Sequence, residues 1–411
     1  MTMERFVIIG AGAAGISAAQ VLREFRPNDT VTVISIDEHV HSRCMLHKYL
    51  GHERTIQGIN FVGEDFFEKK DIFHIPCQTV SRIDTGAKLV YYGEDYSVPY
   101  DKLLIATGSG FFIPPIPHFR EAPNVFGFRD LSDALKIDEA FGKGKRVFIV
   151  GSGLVGLDAA SALCHRGAEI TIAEMAPRVM PLQTDDYAAS VYQKVFEDHG
   201  CRFLLGIGAT DAVVDSEGNI TEVILSTGEH VPCDFIIMAA GVRPRIQIAQ
   251  ASGIKAERAI EVDDHLRTSA PDVYAAGDCT GLSGVWPDAM AQGKAAAENM
   301  AGIDTVYEKP YPFKNTSNFF GVTMLSVGRM DLTEGADVIV HKTPKEYKKA
   351  IITDGKLTGY LSLGDISNHG LYLHLIKNGI DVGDKKDKIF RLTFADFYGI
   401  NEKNGEYVYT V

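Results

Sequence analysis

An α/β fold with two doubly wound units and a small C-terminal α+β domain is predicted by three observations. An apolar strand runs straight into a glycine-rich turn and an Ala-rich helix at RFVIIGAGAAGISAAQVL, Arg5 to Leu22. The same pattern returns at RVFIVGSGLVGLDAASAL from Arg146, an offset of 141 residues. The last hundred residues carry no such motif and show alternating strands instead. A repeat of this quality is the signature of one structural unit used twice.

Each glycine of the first unit has its own task. Gly10 allows a tight turn, Gly12 lets backbone approach a pyrophosphate, and Gly15 lets the helix pack closely on the strand. The helix start at Ala13 and Ala14 presents unpaired N–H groups and a positive dipole end. A second strand, TVTVIS, ends before Asp37, 22 residues past Gly15, where a carboxylate takes adenosine ribose hydroxyls. In the repeat, Gly151, Gly153 and Gly156 take the glycine positions, Leu154 and Val155 stand for the two alanines, and Glu174 follows 18 residues after Gly156. These are two Rossmann-like dinucleotide-binding units.

The remaining elements follow in order. EHVHSRCMLHKYLG is a His-rich loop entering a helix near Met45 to Leu50, close to the carboxyl ends of the first sheet. TVSRIDTGAKLVYYGEDYSVPY reads as a β-meander with turns at Asp84-Thr85-Gly86 and Gly93-Glu94-Asp95. The strand DKLLIATGS, Asp101 to Ser109, ends in Ala106-Thr107-Gly108, and FFIPPIP after it reads as a linker. DFIIMAAGVRPR is a buried strand ending in a turn at Gly241, and TSAPDVYAAGDCT delivers Asp278 just past Gly277. An Ala-rich helix follows, with Pro287 in its first turn and Gly302 at its exit. The C-terminal domain carries ADVIVHK, a hairpin at Asp354-Gly355, a helix around Gly370 to Lys377 and the tail EYVYTV.

A formal net charge of −13 argues against nucleic acid or an anionic membrane as partner. The six cysteines are scattered without CxxC or metal spacing, which fits a reducing cytoplasm. The N-terminus does not read as a signal peptide, and no apolar run reaches the roughly 18 residues of a membrane span.

Two glycine motifs, DKLLIATGS, AAGVRPR and TSAPDVYAAGDCT in this order resemble the two-dinucleotide-domain flavoprotein family of pyridine nucleotide (disulfide) oxidoreductases. The resemblance spans roughly residues 5–300 and is nearest the rubredoxin reductase, NADH oxidase and coenzyme A disulfide reductase branch. It implies an FAD-binding domain over 1–112 and 246–310, an inserted NAD(P)H-binding domain over 113–245, and a C-terminal interface domain over 311–411 in a homodimer. By the same resemblance Asp37 holds the FAD ribose, Ala106, Thr107 and Gly108 close the flavin site, Asp278 takes the ribityl chain, and backbone near Val80 meets the adenine. The helix start at Pro287, Asp288 and Ala289 would face the negative charge of reduced flavin. Gly241 joins the second site. Glu174 accepts ribose hydroxyls and repels a 2′-phosphate, favouring NADH over NADPH, although Arg178 four residues on softens this.

At the reactive end two alignments compete. Arg43, Leu46 and Lys48 resemble the R-P-x-L-x-K signature of rubredoxin and ferredoxin reductases, with Cys44 in place of proline; Lys48 would then pair with Asp158 beside the flavin. Alternatively Cys44 and Leu46 resemble the single redox cysteine of coenzyme A disulfide reductases and NADH oxidases. The start of a helix and basic neighbours are conditions that lower a thiol pKa at Cys44; a packing role is the other reading. The expected activity is hydride transfer from NADH to FAD, then electron delivery to a rubredoxin-like iron–sulfur protein. The alternatives are thiol chemistry at Cys44 on coenzyme A disulfide, peroxide, polysulfide or oxygen, and an NADH-responsive flavin sensor. His39, His41, His47 and Trp286 are further residues of interest, each as readily a solvent-exposed or packing side chain.

Overall fold

Phe6 to Ile9 are all buried, as an apolar strand covered on both faces must be. In the computed structural model, which describes residues 3–309, 313–400, 403, 405 and the backbone of 407–409, this strand is the centre of a five-stranded parallel sheet. The order is Val273–Ala275, Lys102–Ile105, Arg5–Ile9, Thr30–Ile34, Phe73–Ile75. A second parallel sheet has the order Val125–Gly127, Phe235–Met238, Arg146–Val150, Glu169–Glu174, Cys201–Leu205. The two match position by position. Ile9 pairs with Ile34 and Ile105, and Val150 pairs with Ala173 and Met238. Each sheet has its own three-stranded antiparallel meander, Val80–Asp84, Leu89–Tyr92 and Tyr96–Pro99 for the first, Ala209–Val214, Ile220–Leu225 and His230–Pro232 for the second.

The strand expected over Asp101 to Ser109 is two strands. Its parallel part ends at Ile105, Gly108 turns the chain at φ +68°, and Ser109–Phe111 pairs antiparallel with Val242–Pro244. That two-stranded ribbon carries the chain out of the first sheet and back, and the returning chain adds Val273–Ala275 beside Lys102–Ile105.

Helices Ala13–Phe25 and Trp286–Met300 cross in close contact over the first sheet. Ala18, Ala19, Ala296 and Ala297 are fully buried there, and a Cβ on Gly293 would lie 2.1 Å from the Ala14 carbonyl oxygen. Small residues at the crossing therefore set how near the second helix comes, and so where its N-terminus stands.

The C-terminal domain is a five-stranded antiparallel sheet in the order Lys314–Phe319, Val322–Gly328, Lys356–Leu363, Tyr347–Thr353, Asp337–Lys342. Helix His369–Asn378 buries Leu371, Tyr372 and Leu375 on it. The aromatic segment SNFFG, residues 317–321, makes contacts within the chain. Phe319 is buried, and the Phe320 ring stacks on His199 with centroids 3.8 Å apart. In the tail EYVYTV, residues 406, 410 and 411 and the side chains of 407–409 lie outside the described residues. Among the described residues no helix is long and apolar enough to cross a membrane.

Candidate flavin and nicotinamide sites

A cavity of about 540 Å³ opens at the carboxyl ends of the first sheet. Gly10, Gly12, Ala13, Ala14, Asp37, Arg43, Cys44, Val80, Ala106, Thr107, Gly108, Asp278 and Ala289 all line it. The glycine turn is built as the spacing requires. Gly10 has φ +111°, and a Cβ there would lie 2.3 Å from the Ala106 carbonyl oxygen. A Cβ on Gly15 would lie 1.9 Å from the Gly10 carbonyl oxygen, so Gly15 packs helix on strand and does not itself line the cavity. Nothing stands within 4 Å of a Cβ on Gly12, which leaves that backbone open to a ligand. The opposite wall is the start of helix Trp286–Met300, contributing Trp286 and Ala289. From the same helix Gln292 Oε1 accepts the Gly277 N–H at 2.8 Å and the Thr280 hydroxyl at 2.9 Å, fixing the turn that carries Asp278.

Three charged residues that the sequence reading passed over stand at the cavity, Arg129 and Arg245 lining it and Asp130 paired with Arg245 beside it. Arg129 pairs with Asp278, which also accepts the Ser109 hydroxyl at 2.8 Å. Asp130 forms an ion pair with Arg43 at 2.8 Å and accepts a hydrogen bond from Arg245. Burial alone would raise the Asp130 pKa, but the adjoining Arg43 and Arg245 guanidiniums hold it below the usual carboxylate value. Elsewhere desolvation outweighs the opposing charges: it pushes Asp37 up against His41 and the arginines, and His41 down against Asp37. The Asp-Leu-Ser-Asp run at Asp130 was a legible helix start, since the Asp133 carboxylate accepts the Asp130 N–H at 3.0 Å. Its joining Arg43 and Arg245 is not visible along the chain.

The second glycine turn repeats the geometry. Gly151 has φ +103° and a Cβ there would lie 2.6 Å from the Ala239 carbonyl oxygen; one on Gly156 would lie 2.1 Å from the Gly151 carbonyl oxygen; Gly153 is open. Leu154 and Val155 begin helix Leu154–Cys164. Glu174 Oε2 accepts the Ser152 N–H at 2.9 Å and its hydroxyl at 3.0 Å, while Oε1 accepts the Ala176 N–H at 2.9 Å. The carboxylate is thus held against the glycine loop with lone pairs to spare. Arg178, the residue that would soften the choice against a 2′-phosphate, turns toward Asp186 at 3.3 Å. Gly241, at φ +105°, occupies the place that Gly108 has in the first unit, and its carbonyl accepts the Phe112 N–H at 3.0 Å.

At the reactive end the structure departs from two expectations. The Lys48–Asp158 ion pair is not formed. The chain turns at Gly51 and His52 so that the Glu53 N–H bonds the Lys48 carbonyl, which brings Glu53 Oε2 to 2.8 Å from Lys48 Nζ. Asp158 instead faces His47, Nδ1 to Oδ1 3.8 Å. Burial drives this pair toward neutrality from both sides, raising Asp158 to about 7 against the Lys48 charge and lowering His47 to about 4. The Cys44 thiol is the second departure. The side chain is exposed at the cavity wall, yet desolvation by the surrounding protein first, and then the Asp158 carboxylate, raise the thiol, and Arg129 and Arg43 do not overcome them. Its place is a three-residue 3₁₀ turn, Arg43–Met45, too short to supply a strong dipole.

These residues fit FAD. An open glycine turn with a helix N-terminus behind it suits a pyrophosphate. The partly buried Arg129 keeps a buried Nε without a hydrogen-bond partner beside the cavity, a donor suited to an anionic group. Sequence comparison agrees. The profile for pyridine nucleotide-disulphide oxidoreductases matches residues 4–293, and that for the rubredoxin NAD+ reductase C-terminal domain matches residues 314–380. The chain is 30% identical to a nitrite reductase [NAD(P)H] of Bacillus subtilis (strain 168) over 93% of its own length and 48% of the relative's. It therefore spans about half the length of that relative. It is 30% identical to the NADH-dependent phenylglyoxylate dehydrogenase subunit epsilon of Aromatoleum evansii, over 92% of each chain. Among solved structures it superposes on the ferredoxin reductase for the CYP199A2 system of Rhodopseudomonas palustris with TM-score 0.80 and 26% identity, covering 94% of this chain and 99% of that one. The chain belongs to the pyridine nucleotide-disulphide oxidoreductase family, whose members are oxidoreductases using FAD and NADH.

Proposed function

We propose that this protein takes hydride from NADH onto FAD and hands the electrons singly to a small iron–sulfur protein of rubredoxin or ferredoxin type. Bound FAD supplies the conversion of one two-electron donation into two one-electron deliveries. The chain's part is binding and orientation. Gly12 and the start of helix Ala13–Phe25 receive the pyrophosphate, Asp37 the adenosine ribose, and Asp278 the ribityl chain, with Arg129 and Arg43 balancing charge. Gly153 and Glu174 receive NADH, and the fixed carboxylate disfavours a 2′-phosphate. Asp158, whose carboxyl is raised to about 7, and Lys48 are given the nicotinamide side of the flavin by the resemblance alone, since neither lines the cavity. We take the working form as a cytoplasmic homodimer.

The observation that carries the choice of acceptor is the state of Cys44. It is the one cysteine among the described residues lining the cavity, and its thiol is raised rather than activated. Thiol–disulfide chemistry needs the thiolate. The rubredoxin reductase-type C-terminal domain supports the same reading. The competing reading, a Cys44 redox centre, is favoured by its position in the cavity wall. Stopped-flow reoxidation of anaerobically NADH-reduced protein separates the two. Under the proposal Cys44→Ser leaves transfer to rubredoxin or ferredoxin within about twofold of the parent. Loss of transfer in Cys44→Ser, with a long-wavelength thiolate–flavin absorption band in the parent, would overturn it.

A further inference from the structure

Cys164 is the last residue of helix Leu154–Cys164, and Cys201 is the first of strand Cys201–Leu205. Their sulfurs face each other at 3.3 Å. Cys201 is 5% exposed, whereas Cys164 is only partly buried. The other buried cysteines have different neighbours: Cys279 Sγ lies 3.3 Å from the Ala276 carbonyl oxygen and Cys233 Sγ 4.0 Å from that of Ile220. A disulfide has an S–S length of about 2.05 Å, so closure from 3.3 Å is roughly 1.3 Å of side-chain travel. The two sulfurs share a hydrogen bond in which either can donate, and the contact lowers the Cys164 pKa and raises that of Cys201.

The pair's position gives the bond a consequence. The next residue after Cys164 is His165, and His199 lies just before Gly200 and Cys201. Their rings flank Phe320 of the C-terminal domain, with centroids 5.2 Å and 3.8 Å away. The segment between the two cysteines carries Glu174 of the second glycine site and helix Asp186–Glu197, on which the C-terminal domain rests through Tyr192.

We propose that Cys164 and Cys201 are a redox modification site, oxidised by low-molecular-weight disulfides to an intramolecular disulfide that staples this segment beneath the C-terminal domain. In the first step the Cys164 thiolate attacks one sulfur of the small disulfide; the mixed disulfide forms and one small thiolate leaves. In the second, Cys201 gives up its proton and attacks the Cys164 sulfur; the protein disulfide forms and the second small thiol leaves carrying that proton. Two protein thiols are oxidised and one small disulfide is reduced to two thiols. The order follows from access, since only Cys164 is open to the reagent.

The test uses the flavin-loaded full chain, reduced, freed of reductant, incubated with oxidised glutathione, alkylated and digested without reduction. Mass spectrometry is expected to find the Cys164 and Cys201 peptides joined, less two hydrogens. Cys201→Ala is expected to accumulate a stable glutathione adduct on Cys164. A wild-type map in which Cys164 stops at the adduct while Cys201 is alkylated overturns the proposal, as does one in which both remain free. Should Cys201→Ala fail to fold, the wild-type map decides alone. The staple also predicts a higher thermal midpoint for the oxidised protein, reversed by dithiothreitol; an unchanged midpoint contradicts it.

Discussion

Asp158 and His47 show what burial does to single residues. The folded Asp158 keeps its proton to about pH 7, while an unfolded aspartate loses it near 3.9, so its contribution to stability falls as pH rises from about 4 to about 7. His47 works in the opposite sense. Folded it is neutral above about 4, while unfolded it charges below about 6.5, so its contribution rises over nearly the same window. Each effect is on the order of 2–4 kcal/mol, and in the parent they largely cancel. Against the parent, urea midpoints measured from pH 4 to 7 should therefore rise more steeply with pH in Asp158→Asn and less steeply, or fall, in His47→Gln. In addition, the rate of flavin reduction by NADH should show an inflection near pH 7 that Asp158→Asn removes. Another residue-scale expectation concerns Gly15, whose added Cβ would meet the Gly10 carbonyl oxygen at 1.9 Å. Gly15→Ala should release FAD on dialysis and lower stability by about 1–3 kcal/mol. The glycines and Asp37 were legible because a motif at fixed spacing dictates them. The Cys44 pKa and the partner of Lys48 were not, because they depend on burial and on a turn at Gly51 that spacing does not reveal.

Helix Trp286–Met300 connects the sequence to the cavity through its packing. Gly293 meets the Ala14 carbonyl, and this contact aims the helix start, with Trp286 and Ala289, at the cavity. Gly293→Val should push the two helices apart, costing about 1–3 kcal/mol and weakening FAD retention even though residue 293 does not line the cavity. Fluorescence of released flavin on mild heating checks it. At this scale the sequence showed the strands and helices around each glycine motif, which read as apolar runs; helices Leu131–Phe141 and Asp186–Glu197, strand Cys201–Leu205 and the second meander carry no such motif and were not read. It did not show the ion cluster of Arg43, Arg129, Asp130, Arg245 and Asp278. Those residues come from four segments far apart in the chain, and only the folded ribbon of Ser109–Phe111 and Val242–Pro244 draws them together.

Across the whole molecule, the C-terminal domain is seated on the second dinucleotide unit through buried polar contacts. The Tyr192 hydroxyl lies 3.0 Å from Ser317 Oγ, and Asp185 accepts from Tyr347 at 2.5 Å and Lys349 at 3.1 Å. Tyr192→Phe leaves the ring in place and strands Ser317, so it should cost about 1–2 kcal/mol in urea unfolding. The internal repeat made the two dinucleotide units readable from sequence. The way the third domain docks was not, since Phe319 and Phe320 look the same in a sequence whether they face a partner or their own chain.

The central claim is that electrons entering from NADH leave through the flavin without help from Cys44. Stopped-flow mixing of anaerobic, NADH-reduced holoprotein with oxidised rubredoxin or ferredoxin tests it most directly, in the parent and in Cys44→Ser. The account predicts fast reoxidation by at least one of these carriers, at rates within about twofold of each other in the two proteins. Reoxidation no faster than in buffer with every iron–sulfur carrier, or a transfer that disappears with the Cys44 sulfur, would contradict it.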